Sequence, residues 1–221
     1  MFKRYFTING FIKIMILSDF TLFSAFGLIA PIFAIFSATT LAGGTIFKAA
    51  LGSTVFLLVK STLQIPISKA IDKNHGEIDD YWTAVIGTYI IAIVPFLYFM
   101  INSISQLYIV QIIYGIGGAL AFPGWIAMYT RHLDHGHEGF EWSLYNTTIS
   151  VAVAITAAIG GYLVQDYGFR SIFLLVGSLG LVGATILLLN KKKIIRRPRI
   201  AKVARVDVDS ARLLRQGKKI K

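Results

Sequence analysis

The sequence predicts an all-α membrane protein with six transmembrane helices, and three observations carry that prediction. Of its 221 residues, 55% are hydrophobic and only 15% charged, with a mean hydropathy of +0.66, too little polar surface to coat a water-soluble globule of this length. Six apolar stretches each reach the roughly 20 residues that cross about 30 Å of hydrocarbon at about 1.5 Å per residue. Their apolarity is continuous rather than alternating, which argues against a β-barrel and for helices, whose backbone polar groups are all satisfied within the segment.

The first stretch runs from about Ile14 to Phe36. It follows a basic start, Met1 to Arg4, but is too long for a signal peptide and lacks a small-residue cleavage site, so it reads as a retained span. The others run from about Ile46 to Pro66, Tyr81 to Ile101, Leu107 to Tyr129, Ser143 to Gln165 and Ser171 to Asn190. Three regions follow: a cytoplasmic N-terminus over 1–13, a transmembrane domain over 14–190 and a basic cytoplasmic tail over 191–221. Basic residues sit at Lys3, Arg4 and Lys13, between spans two and three (Lys69, Lys73), after span four (Arg131) and in the tail, while the first and third connections have none. The positive-inside rule therefore predicts an inner cell membrane protein with both termini in the cytoplasm, Arg170 in a short fifth loop being the exception. An even number of spans agrees.

The net charge of +11 does not point to nucleic acid, because 13 of the 22 Lys and Arg follow Asn190 in a tail without aromatic stacking residues. That tail opens with Lys191, Lys192, Lys193, Arg196, Arg197 and Arg199, suited to anionic lipids at about 1 kcal/mol per charge near the bilayer surface. Beyond Pro198 its pattern leaves helix and strand both open. A basic tail where a seventh apolar run would stand favours a complete chain. The absence of cysteine excludes disulfides, Cys metal sites and thiol catalysis.

Asp19 and Lys60 are the sharpest pointer to function, since each lies about six residues inside its span and a charge there costs on the order of 3 kcal/mol unless paired or hydrated. Spans one and two run in opposite directions, which places the two at similar depth, close enough for an ion pair. Gln64 lies one turn from Lys60, and Asn146 enters span five from the same side. The set reads as a polar cluster on a central cavity, with Asp19 as proton or cation site and Lys60 as its charge partner or an anion contact. The blander reading has Lys60 snorkelling to the headgroups and Asp19 satisfied by local hydroxyls such as Ser18. Trp125 and Phe122 flank Pro123 and line a substrate path or pack against lipid. Lys48, Trp82 and Trp142 at span ends read as interfacial anchors. His75, His132, His135 and His137 lie in acidic loops, a spacing that reads as hydrated loop rather than metal site.

Pro31 and Pro123 each fall about seventeen residues into the first helix of a three-helix set, a pairing of helix interruptions that suggests two inverted repeats. Asp72 with Gly76 and Asp166 with Gly168 recur after the second helix of each set.

In this order the features resemble one half of a major facilitator superfamily transporter, over roughly Ile14 to Asn190. Ser68, Asp72 and Lys73 partly match the family's loop between its second and third helices. Gln111, Gly115, Gly117, Gly118 and Pro123 follow the glycine spacing of its fourth helix, with Gln111 and no arginine ahead of it. Gly160, Gly161, Asp166, Gly168, Arg170 and Phe173 resemble the end of its fifth. The resemblance implies two three-helix inverted repeats and a transporter subunit that moves a small molecule or ion by alternating access, as a homodimer of six-helix halves. Asp72 and Lys73 would form a cytoplasmic gate, and the path would run past Asp19, Lys60, Gln64, Gln111, Trp125 and Asn146. The rival reading is a non-transporting scaffold or assembly factor whose basic tail recruits a partner. No nucleophile and base pair is present, so no enzyme, cofactor or metal is expected.

Overall fold

The first crossing is built in two pieces. Helix α1, Gly10–Gly27, begins at Asn9, whose side-chain oxygen accepts the Phe11 amide at 3.1 Å, and ends in a turn over 28–32 that contains Pro31. Proline has no amide hydrogen to continue the ladder, so the chain turns there and resumes as the short α2, Phe33–Thr39. The computed structural model describes residues 8–73 and 77–191. Lys3, Arg4, His75, Gly76 and the tail beyond Lys191 lie outside the described residues.

Helix α3, Ile46–Asp72, starts where the Thr45 hydroxyl accepts the Lys48 amide. Helix α4, Glu77–Met100, carries Glu77, Asp79 and Asp80 in its first turn, where carboxylates meet the positive end of the helix dipole. Helix α5, Ile104–Arg131, opens on a reciprocal capping box between Ser103 and Gln106. Helix α6, Glu138–Leu189, has 52 residues, far too many for one crossing. It breaks at Gly168, with φ 73° and ψ 167°, backbone angles that a side chain disfavours.

Six crossings are thus present, in the places the hydropathy pattern indicates. Two details differ. The fifth connection is one broken residue rather than a loop. Pro123 lies inside an uninterrupted α5, so it does not mirror the break at Pro31, because neighbouring helices hold a membrane helix together through a proline.

Packing joins α1 to α6, α4 to both α5 and α6, and α3 to α5. Small residues set the closest approaches. A Cβ on Gly160 would strike the backbone of Leu28, and one on Gly87 would strike Ala121 and lie 2.6 Å from the Gly117 carbonyl, so α1 and α6, and α4 and α5, touch backbone to backbone. One apolar cluster, with Phe36, Tyr98, Leu107, Phe173 and Val176, holds the end of the bundle far from the chain termini. A second, with Met15, Tyr81, Met128, Tyr129 and Leu187, holds the terminal end. Between them lies a central cavity.

Candidate functional site

A central cavity of about 480 Å³ is walled by α1 (Asp19, Phe23, Phe26), α3 (Phe56, Lys60), α4 (Thr88, Ile91), α5 (Tyr114, Gly118, Phe122, Trp125) and α6 (Trp142, Tyr145, Asn146). Asp19 is 7% exposed and its Oδ2 accepts the Tyr145 hydroxyl at 2.8 Å. Its neighbour Ser18 donates to the Gly183 carbonyl at 2.9 Å. Successive helical residues diverge by about 100°, so pinning Ser18 to α6 turns Asp19 into the cavity.

Lys60 reaches the same cavity along a groove in α5. A Cβ on Gly118 would sit 3.2 Å from Lys60 Cδ, so the glycine makes room for the aliphatic stem. The ammonium lies 4.9 Å from the Phe122 ring centroid, a cation–π distance. Phe122 is one turn nearer the terminal end than Gly118, so the side chain leans along the snorkelling direction while remaining in the cavity wall. Asp19 and Lys60 share this space without forming an ion pair; Asp19 takes its hydrogen bond from Tyr145 instead.

Trp125 is buried, lines the cavity and stacks on Tyr129 with centroids 4.7 Å apart, so it does not face lipid. Among the described residues its indole N–H has no hydrogen-bond partner. Asn146 donates to the Trp142 carbonyl one turn back at 3.0 Å and lines the cavity. Trp142, read from sequence as a surface anchor, is a cavity wall, and it packs on Trp125, Tyr129 and Tyr145.

The remaining polar residues do not join this group. Gln111 is buried and accepts from the Tyr98 hydroxyl at 3.3 Å in a smaller cavity of about 210 Å³. The partition between the two cavities is an aromatic stack, Phe26 on Tyr114 on Phe56, at centroid distances of 5.7 and 4.3 Å. Gln64 faces a third cavity of about 490 Å³ at the terminal end, with Ser68, Lys69, Asp72 and Asp80. The polar cluster read from sequence is therefore divided between two spaces, with Gln64 apart from Asp19, Lys60 and Asn146, and Phe122 and Ile126 bordering both cavities.

At that end Asp72 and Lys73 are exposed, and among the described residues neither forms an ion pair. The pairing falls to two residues that the sequence reading passed over: Arg131 holds the buried Asp80 at 2.5 Å. Around it, Tyr81 donates to the Leu188 carbonyl at 2.8 Å and Lys191 lies 4.7 Å over the Trp82 ring, tying α4 to both α5 and α6. His132 stacks on Phe11 at 3.8 Å and His135 meets Glu138 at 3.1 Å. Among the described residues no group of His and acidic side chains is set to hold a metal.

Residues 14–218 match the sequence profile of the Major Facilitator Superfamily. The chain belongs to that superfamily. An uncharacterised MFS-type transporter of Methanocaldococcus jannaschii is 28% identical over 170 residues, 77% of this chain and 42% of that protein. The POT family transporter PepTSo shares the fold, with a TM-score of 0.73 at 15% identity, over 87% of this chain and 39% of that one. This superfamily member spans less than half the length of either. Membership places it in a family of multi-pass membrane transporters rather than enzymes. It also gives the glycine run a physical meaning: Gly115 and Gly118 face α3 while Gly117 faces α4, so α5 is wedged between both.

Proposed function

We propose that the chain is one half of a transporter that moves a small solute by alternating access, completed by a second copy of itself in an inner cell membrane, with both termini cytoplasmic. The observation that carries this reading is the central cavity, where a buried acid and a lysine meet aromatic walls in an otherwise apolar bundle. Charges at that depth call for a hydrated path or a ligand. The need for a second half rests on α3. Only 11% of its apolar stretch is buried, against 44% to 56% in α1, α4, α5 and the most apolar part of α6, and Ser53, Thr54, Ser61 and Thr62 are exposed beside Leu57 and Leu58. Crossing five, where Ala152 and Gly160 are the buried residues between 143 and 165, is open as well. Hydroxyls on an uncovered face favour a protein neighbour over lipid. A C2 pair that placed two α3 helices at one seam would close the cavity with a matching wall.

In this reading 1–13 and 191–221 flank the transmembrane domain at the cytoplasmic surface. Asp19, Lys60, Trp125 and Asn146 line the central part of the path, Gln111 its far part and Gln64 its cytoplasmic mouth. Asp72 and Lys73 gate that mouth against the partner half, while the Asp80–Arg131 pair braces the half itself. The test is reconstitution in liposomes with a panel of small solutes under imposed proton and sodium gradients. Flux that disappears in Asp19→Asn and in Lys60→Ala, with membrane insertion unchanged, supports the reading. Full flux in both variants, or crosslinking that finds only monomers in native membranes, rejects it.

A further inference from the structure

We infer that the central cavity takes a small zwitterion, a molecule with an ammonium and a carboxylate on one compact apolar or aromatic body. This deepens the transport reading and rests on it for the site, while its chemistry is argued separately. The cavity is bipolar without being neutralised. Asp19 lies in one wall, held by a single hydroxyl from Tyr145, and Lys60 lies in another with its ammonium over Phe122, and the two are not paired with each other. A ligand carrying only positive charge would be drawn to Asp19 and repelled by Lys60. A ligand carrying only negative charge would meet the reverse. In a space of low dielectric both penalties are large, and an uncharged ligand would leave both groups unmatched. A ligand with one charge of each sign satisfies both walls at once.

Two further observations agree. Among the described residues the indole N–H of Trp125, a side chain of the cavity wall, is a buried donor with no partner, a state that costs free energy. The remaining surface is ring-rich, with Phe23, Phe26, Phe56, Tyr114, Trp142 and Tyr145 around the space. Such walls bind an apolar or aromatic body and stabilise an ammonium by cation–π contact. A volume of about 480 Å³ lies within the range of small-molecule sites.

The experiment is calorimetric titration of the full chain in lipid nanodiscs with three probes that share one body: phenylalanine, phenylalaninamide and N-acetylphenylalanine. They are respectively a zwitterion, a cation and an anion. Phenylalanine is expected to bind at least about tenfold more tightly than either of the others, the usual weight of one charge-assisted contact. Asp19→Asn should weaken phenylalanine and its amide by about tenfold and tighten the N-acetyl compound, which loses its repulsion. Lys60→Gln should weaken phenylalanine and the N-acetyl compound and tighten the amide. The probe ranking on the unmodified chain needs no variant to fold. An amide that binds as tightly as phenylalanine, with no effect of Lys60→Gln, would identify a cation site and overturn the inference, and so would failure of all three probes to bind. Flux of some other solute without zwitterion binding would reject this ligand class and keep the transport reading. Zwitterion binding without flux in any gradient would do the opposite.

Discussion

Replacing Tyr145 by phenylalanine removes one oxygen and keeps the ring in its stack, where Trp125 and Tyr129 lie at centroid distances of 4.9 and 5.5 Å. The lost group is the hydroxyl that donates to Asp19 Oδ2 at 2.8 Å across the α1–α6 contact. If Asp19 is ionised, the bond is charge-assisted and contributes about 1.5 to 3 kcal/mol. A neutral interhelical hydrogen bond in a membrane averages only about 0.6 kcal/mol, because the partners find other contacts when the helices separate. The two cases are far enough apart to measure. In a double-mutant cycle, Tyr145→Phe should cost about 2 kcal/mol in the natural background and close to nothing beside Asp19→Leu, a coupling of about 2 kcal/mol. The assay is reversible unfolding in mixed micelles, followed by tryptophan fluorescence, with Phe122→Leu as a cavity-wall control that does not touch the bond. A coupling at or below about 0.6 kcal/mol would refute the view that this hydroxyl anchors a charged carboxylate.

Gly160→Ala should lower stability by about 2 to 3 kcal/mol in the same assay, since its new methyl meets the Leu28 backbone. Gly161→Ala, with open space around it, should be neutral or slightly stabilising, so equal costs at the two positions would contradict the packing. Arg131→Met leaves the buried Asp80 without its partner and should cost about 2 kcal/mol, less than the roughly 3 to 5 kcal/mol of a fully buried pair because Arg131 is 42% exposed. Unfolding measurements that find no loss would show the pair to be idle. The chain has no cysteine, so single cysteines report cleanly. A water-soluble thiol reagent should modify Lys60→Cys at least about tenfold faster than Leu58→Cys on the lipid-facing or partner-facing side of α3, because the thiolate forms only where water reaches. Equal rates would mean that the cavity is dry.

The spans were legible because hydrocarbon thickness imposes a length on any helix that crosses it. Asp19 and Lys60 were legible because their charges are expensive at that depth. What the sequence did not reveal is rotation. These helices are apolar around most of their circumference, so hydropathy does not tell which side of α6 meets α1, and Tyr145 and Trp142 passed as ordinary aromatics. A local signal existed: Trp142, Tyr145 and Asn146 recur at helical spacing on one stripe, aromatic and polar together. Asp80 and Arg131 were also within reach, since the ends of consecutive antiparallel spans are neighbours. Reading the loops for net charge hid that pair. The separation of Gln64 from Lys60 was not readable at all, because the side chains that border both cavities, Phe122 and Ile126, belong to another helix.

The break at Gly168 leaves crossings five and six joined by a single hinge-like residue with no intervening peptide. On that face of the membrane the exposed surface is confined to the two helix ends themselves, Asp166 and Tyr167 on one side and Arg170 on the other, and an epitope tag placed there would have to pry them apart. Any tilt of one against the other must be taken up by the torsion angles of one glycine, which is the residue best able to supply it.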